Sequence, residues 1–230
     1  MTQQPTGVHH LAFMTADIKK HIEFFSQVVG FPLVALFDMH GVPGGLHAFL
    51  RMNDYGYFSL VQLPDVDKIP VQIGQTHSGS GALPCAAGTL QHLAFRANSF
   101  ADLIAMRDRI RSHGVNVIGP IDHGMCQSIY FAGPDHMTLE VATSAAAVDP
   151  QRWIDPAVLA KAGISAAEAA RFTAPPAYEG PSPVPQPAYD PAMPHMVYPQ
   201  EIYRKILATP DEVVTKTASY ATPPVSTPGC

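Results

Sequence analysis

Two histidines and one glutamate form a set able to hold a divalent cation. His10-Leu11-Ala12-Phe13 recurs as His92-Leu93-Ala94-Phe95, an offset of 92 − 10 = 82 residues, so the two imidazoles occupy matched places in an internal repeat. Glu140 lies in the run Met137-Thr138-Leu139-Glu140-Val141-Ala142, and a carboxylate inside an apolar strand is expensive unless it is paired, hydrogen-bonded or bound to a metal. Two imidazoles and one carboxylate make a facial set that leaves coordination positions open, the pattern of non-haem Fe(II) oxygenases. Open positions imply catalysis rather than a structural metal. Taken singly, each residue reads more simply as a core histidine or a strand-end carboxylate, and it is their conjunction at matched positions that carries the metal reading. His9 competes with His10, but strand alternation predicts opposite faces for the two, and the repeat register selects His10.

The elements that must position these groups follow the same repeat. Each copy opens with an apolar run suited to a strand, then a capping residue, an amphipathic helix, a glycine and further β-rich runs. In the first copy Ile18, Ile22, Phe25 and Val29 share a helical face and Gly30 stands where a left-handed cap is wanted. In the second, Ser99 and Asp102 resemble a capping box, Leu103, Met106 and Ile110 form the buried stripe, and Gly114 ends it. Further strands are expected at about 33–38, 46–52 and 57–63, then 116–122, 126–132 and 137–143. The fold class is therefore α+β, two tandem βαβββ modules (1–65 and 90–145) forming a cupped mixed sheet around the metal site. Between them, residues 66–89 contain THSGSGALP and read as a linker or mobile loop. From residue 144 onward the composition shifts, 15 of the 23 prolines falling in the last 87 residues. The 146–230 extension is predicted to be Pro-rich and partly helical, with short helices at 155–162, 165–172 and 199–208, wrapping the modules or a partner subunit.

Composition removes several classes of function. A formal charge of −5 with 14 Lys and Arg supplies no electrostatic footprint for nucleic acid or an anionic membrane. No stretch approaches the roughly 20 apolar residues of a bilayer span, and the start lacks a cationic segment followed by an apolar run. Cys85, Cys126 and Cys230 are odd in number and without close pairing, as expected for reduced thiols in a cytoplasmic protein. Small-molecule chemistry in the cytoplasm is the class left.

Over residues 8–145 the chain resembles the vicinal oxygen chelate superfamily, which includes glyoxalases, bleomycin-resistance proteins and extradiol dioxygenases. In that family, metal ligands come from the first and fourth strands of paired βαβββ modules. His10, His92 and Glu140 match three of these positions, and Ser59 stands at the fourth when Phe58-Ser59-Leu60-Val61 is aligned with Leu139-Glu140-Val141-Ala142. The three-ligand set resembles extradiol ring-cleaving dioxygenases more than glyoxalase-type isomerases. A second motif agrees: His123, five residues, Ile129-Tyr130, Pro134 and Glu140 follow the extradiol signature in order and spacing, with departures at Gly133 and His136.

The resemblance implies that His123 and Tyr130 hydrogen-bond the substrate oxygen or dioxygen. The histidine that usually serves as base in the first module is absent, since Phe49-Leu50-Arg51-Met52-Asn53-Asp54 leads into Tyr55-Gly56-Tyr57-Phe58. Tyr57 could occupy its place, but a phenol is a poor base near neutral pH, and His47 is the better candidate. The implied cofactor is Fe(II), with Mn(II), Zn(II) or Ni(II) as alternatives. The implied partners are a catechol-like diol, O2 and a second copy in a homodimer or larger assembly. Phe13, Phe49, Phe95 and Phe131 are available to line a pocket, and the tail segment bearing Tyr198, Tyr203 and Ile206 could serve as a dimer contact or lid. A metal-dependent isomerase, epimerase or lyase, or a non-catalytic binding protein of the same fold, are the competing readings.

Overall fold

In a computed structural model the protein is described over residues 4–220 and 222–225. Its main compact unit runs from Pro5 to Pro175, and the extension from Pro176 belongs to a second unit. The main unit contains both modules. In the first, β1 (His10–Met14) leads to α1 (Ile18–Glu23), which widens into a π-helical turn (Phe24–Val29), followed by β2 (Leu33–Asp38), β3 (Leu46–Arg51) and β4 (Tyr57–Gln62). The second repeats this plan as β5 (Leu93–Arg96), α2 (Phe100–Ser112), β6 (Val117–Asp122), β7 (Gln127–Ala132) and β8 (Thr138–Thr143). Each module forms a four-stranded mixed sheet, ordered β1-β4-β3-β2 and β5-β8-β7-β6, in which the first strand pairs parallel with the fourth. This is the α+β tandem arrangement the repeat predicts, with strand ends within a residue or two.

Local chemistry sets the helix ends. The Asp17 carboxylate accepts from Lys20 N and the Ser99 hydroxyl from Asp102 N, each satisfying an amide that the first turn leaves free. Gly30, at φ +97°, closes the π turn in the left-handed region where a side chain would strain the backbone. That turn leaves carbonyls without helical partners, and Arg109 of α2 donates Nε to Val28 O (2.9 Å) and Nη2 to Gln27 O (2.7 Å). One guanidinium thus joins the helices of the two modules.

The core explains how the sheets are placed. Phe25 and Phe58 are fully buried with ring centroids 4.0 Å apart, and Phe95 of the second module stands 6.0 Å from Phe58. Leu103, Ile110, Ile129 and Leu139 complete the cluster. By alternation, Phe58 and Phe95 lie on the faces opposite Ser59 and Ala94. The modules therefore share one core built on their helix-bearing faces, and the other face of each sheet is turned away from it.

Beyond β8 the main unit holds α3 (Pro150–Trp153), α4 (Pro156–Lys161) and α5 (Ala166–Thr173). A full capping box stands at Ser165 and Glu168. The second unit contains α6 (Gln200–Ala208) and α7 (Asp211–Ala218). Of these five helices, α4, α5 and α6 match the expected segments, whereas α3 and α7 were not anticipated. Among the described residues no helix is long and apolar enough to cross a membrane. Cys85 and Cys126 are free thiols, and Cys230 lies outside the described residues.

Candidate metal centre

Glu140 sits on the free face of the second sheet, register-paired with Ala94 on β5 and with Tyr130 on β7. Ala94 leaves the space beside the carboxylate open, and His92, two residues earlier, enters it. Its Nε2 lies 3.0 Å from Glu140 Oε2, with Glu140 only 4% exposed. On its other side the His92 ring meets Gln91, Nδ1 against the amide oxygen Oε1. Tyr130 packs edge-on to His92, ring centroids 6.4 Å apart, and its hydroxyl is 3.0 Å from His123 Nε2. Burial first, and then the neighbouring Glu140 charge, hold the Tyr130 phenol above its ordinary pKa, so it stays a proton donor. His123, Tyr130, Glu140 and His92 thus form one continuous polar line.

His10 belongs to the other sheet. It is register-paired with Tyr57, and its ring centroid lies 5.7 Å from that of Phe49, reached across β4 over the small Ser59 side chain. Ser59 is fully buried and 2.7 Å from His47 Nε2. Burial, followed by the charges of His10 and His40, lowers the His47 pKa, so this imidazole stays neutral near pH 7 and able to accept a proton. Tyr57 lies beside His9 and Phe49, at centroid distances of 5.5 and 6.2 Å.

The expected convergence of His10, His92 and Glu140 therefore takes a different form within one chain. Among the described residues no three His, Cys, Asp or Glu side chains gather as a metal-binding group. The packing gives the reason: the modules meet through Phe58 and Phe95, which turns the His10 face and the Glu140 face away from the shared core. The expectation that His9 and His10 point to opposite faces also needs correction. The His9 carbonyl accepts from Tyr57 N at the strand's edge (2.8 Å), and its ring turns towards His10, the two Nδ1 atoms lying 3.0 Å apart.

Of the two departures from the extradiol signature, the one at Gly133 has a local cause. A Cβ on Gly133 would meet Leu139 Cδ1 at 2.7 Å. His136 has φ +61°, a conformation that glycine adopts more cheaply. Two participants escaped the sequence reading, Gln91 and the fully buried His21. Gln91 had a discoverable signal, since it immediately precedes a candidate ligand. His21 follows Ile18 by three residues and so shares its buried face.

The family model of the Glyoxalase/Bleomycin resistance protein/Dioxygenase superfamily matches residues 7–141. The chain belongs to this superfamily. No curated protein matches it. Solved structures resemble this superfamily member at low identity. A glyoxylase/bleomycin resistance protein/dioxygenase domain from Frankia sp. EAN1pec is 13% identical (TM-score 0.48), covering 61% of this chain and 99% of its own. TnmS3, an antibiotic binding protein from Streptomyces sp. CB03234, is 24% identical (TM-score 0.42), with coverage of 61% and 98%. A variant of the fosfomycin resistance protein FosX from Listeria monocytogenes, complexed with Mn(II) and a dihydroxypropylphosphonic acid, is 17% identical (TM-score 0.44), with coverage of 65% and 98%.

Proposed function

We propose that this superfamily member is a metal-dependent dioxygenase of the extradiol type, opening a catechol-like ring with O2, in which His92 and Glu140 are two of three protein donors to Fe(II). The observation that carries the reading is the 3.0 Å approach of His92 Nε2 to the buried Glu140 Oε2, beside the hydrogen-bonded pair Tyr130 and His123. With Nδ1 engaged by the Gln91 oxygen, the two facing atoms are an imidazole lone pair and a carboxylate, which require a proton or a cation between them. That donor chemistry fits a divalent metal. The third donor is His10, whose face is turned away from the Glu140 face of its own chain. A second copy presenting its His10 would complete the set, which makes the functional form a homodimer or larger assembly.

The cation would supply a template for the two diol oxygens and for O2. The chain's own residues do the rest. Tyr130 donates a hydrogen bond to a substrate oxygen and His123 fixes the direction of that hydroxyl. His47, neutral and oriented by Ser59, takes a diol proton when its face meets the Glu140 face of a partner copy. Tyr57, register-paired with His10, borders the same face. The reaction breaks the ring carbon–carbon bond beside the diol and leaves both atoms of O2 in the product, so no external reductant is needed.

Metal analysis by mass spectrometry on anaerobically purified protein, followed by oxygen uptake with a panel of catechols after Fe(II) is restored, tests the reading. Stoichiometric iron with diol-dependent uptake, both lost in His92→Ala, is the expected result. Metal without oxygen uptake would favour an isomerase, epimerase or lyase, and absence of any metal would leave a small-molecule binding protein.

A further inference from the structure

The segment joining the modules does more than connect them. After β4 and a 3-10 turn (Val66–Lys68) the chain returns to the second sheet, and the two border an open cavity of about 770 Å³. Ile73 and Leu83 of this segment face Ile118 and Ile121 of β6, and His123 and Tyr130 contribute polar groups. Among the described residues no Lys, Arg, Asp or Glu lines this space. A phosphate, sulfonate or carboxylate entering it would lose hydration with no Lys or Arg to replace it, whereas an uncharged apolar body with a hydroxyl group would meet largely apolar walls, the Tyr130 phenol and the imidazoles of His123 and His136.

The segment is held by the side chains of Ser78 and Gln91. Ser78, buried at 1% exposure, donates Oγ to the Gln91 carbonyl at 2.5 Å and lies 3.3 Å from Thr138 Oγ1 on β8. The Gln91 amide nitrogen donates to Ser80 O (3.1 Å) and Leu83 O (3.2 Å). Carbonyls only accept, so these two bonds fix which end of the amide is nitrogen. The oxygen end is then left to His92 Nδ1, which must carry a hydrogen, and Nε2 keeps its lone pair towards Glu140. Gln91 thus both helps to hold the segment and sets the tautomer of the imidazole.

We infer that residues 73–91 are a roof admitting uncharged, largely apolar ligands to the face that carries Tyr130, and that Gln91 is the positioning residue tying this roof to the His92 imidazole. The inference deepens the function proposed above and rests on it only for the role His92 plays towards a metal.

The test uses the full chain without added metal, with Nile red as an uncharged probe and anilinonaphthalene sulfonate as an anionic one, both followed by fluorescence. The hydrogen on His92 Nδ1 is read by 15N NMR. In the unaltered protein Nile red binds more tightly than the sulfonate by at least about fivefold, the lower end of ordinary coupling energies, and His92 carries its hydrogen on Nδ1. Gln91→Glu retains an acceptor for His92 and loses both donors to the roof, so Nile red weakens by at least about fivefold while the tautomer stays. Gln91→Ala loses the tautomer preference as well, with the circular dichroism spectrum of both variants unchanged. Equal binding of the two probes, Nile red affinity indifferent to Gln91, or an unchanged tautomer in Gln91→Ala would overturn the inference. A Mn(II) titration of the same samples separates the two ideas: failure to bind metal sinks the dioxygenase reading and leaves the roof measurements standing.

Discussion

At the point where β8 carries Glu140, β4 carries Ser59. Each is the register partner of an alanine on the parallel first strand, Ala94 and Ala12, and of an aromatic residue on the third, Tyr130 and Phe49. The frames are equivalent and the contents differ. The second module presents a buried acid against an imidazole, with a phenol packed edge-on to that ring and bonded to His123, whereas the first presents His10 and a neutral His47 bonded to a hydroxyl. The duplicated scaffold thus carries an acid–imidazole pair on one face and two histidines on the other. The modules share a core on their opposite faces, and the assembly proposed above is what would bring the two sets of groups together.

The sharpest way to break this comparison is to remove donors from each face separately. His92→Ala or Glu140→Ala is expected to weaken metal binding by more than about a hundredfold, since loss of a mere outer-shell partner already costs up to that factor. His10→Ala should match it if the first face supplies the third donor, and calorimetric metal affinity unchanged in His10→Ala would show the second face acting alone. Truncation of the aromatic that joins the modules is next: Phe58→Ala, fully buried between Phe25 and Phe95, should lose about 3–5 kcal/mol in denaturant unfolding. Both faces would suffer together, unlike the donor variants.

Tyr130→Phe keeps the ring and removes the hydroxyl that meets His123. Turnover with a catechol should fall by at least about tenfold, the lower part of the range for a group that acts on the transition state, with metal content unchanged. The loss of a hydroxyl on the first face, Ser59→Ala, deletes the 2.7 Å contact with His47 and should cost about 1 kcal/mol by thermal unfolding.

The smallest effect concerns the joint between modules. His21 is fully buried, its Nε2 has no hydrogen-bond partner and stands 3.6 Å from Asp135 Oδ2 of the second module. Burial lowers its pKa from 6.5, against the opposing pull of Asp135. The unfolded chain therefore binds the proton more readily, so the His21 contribution to stability is complete above pH 6.5 and declines as pH falls through the lower folded value. His21→Gln should flatten this part of a stability–pH curve, and an unchanged slope would assign the acid sensitivity to other groups.

What the sequence determined by itself was local or repetitive. The 82-residue offset located both modules, and period-3.6 stripes with the Ser99 cap and the closing Gly30 and Gly114 located the two helices. Glu140 declared itself by the cost of an acid among Leu139, Val141 and Ala142. Even the equivalence of Ser59 with Glu140 was legible from aligned strands. Tertiary structure alone decided which faces of the modules meet, because periodicity tells a residue its side of a sheet and nothing about which sides of two sheets will share a core. The Phe25, Phe58 and Phe95 contacts made that choice, separating His10 from Glu140 within the chain. The roof was likewise invisible, since a Gly- and Ser-rich stretch carries no period, and its position follows from the side-chain bonds of Ser78 and Gln91 to groups distant along the chain or fixed on another strand.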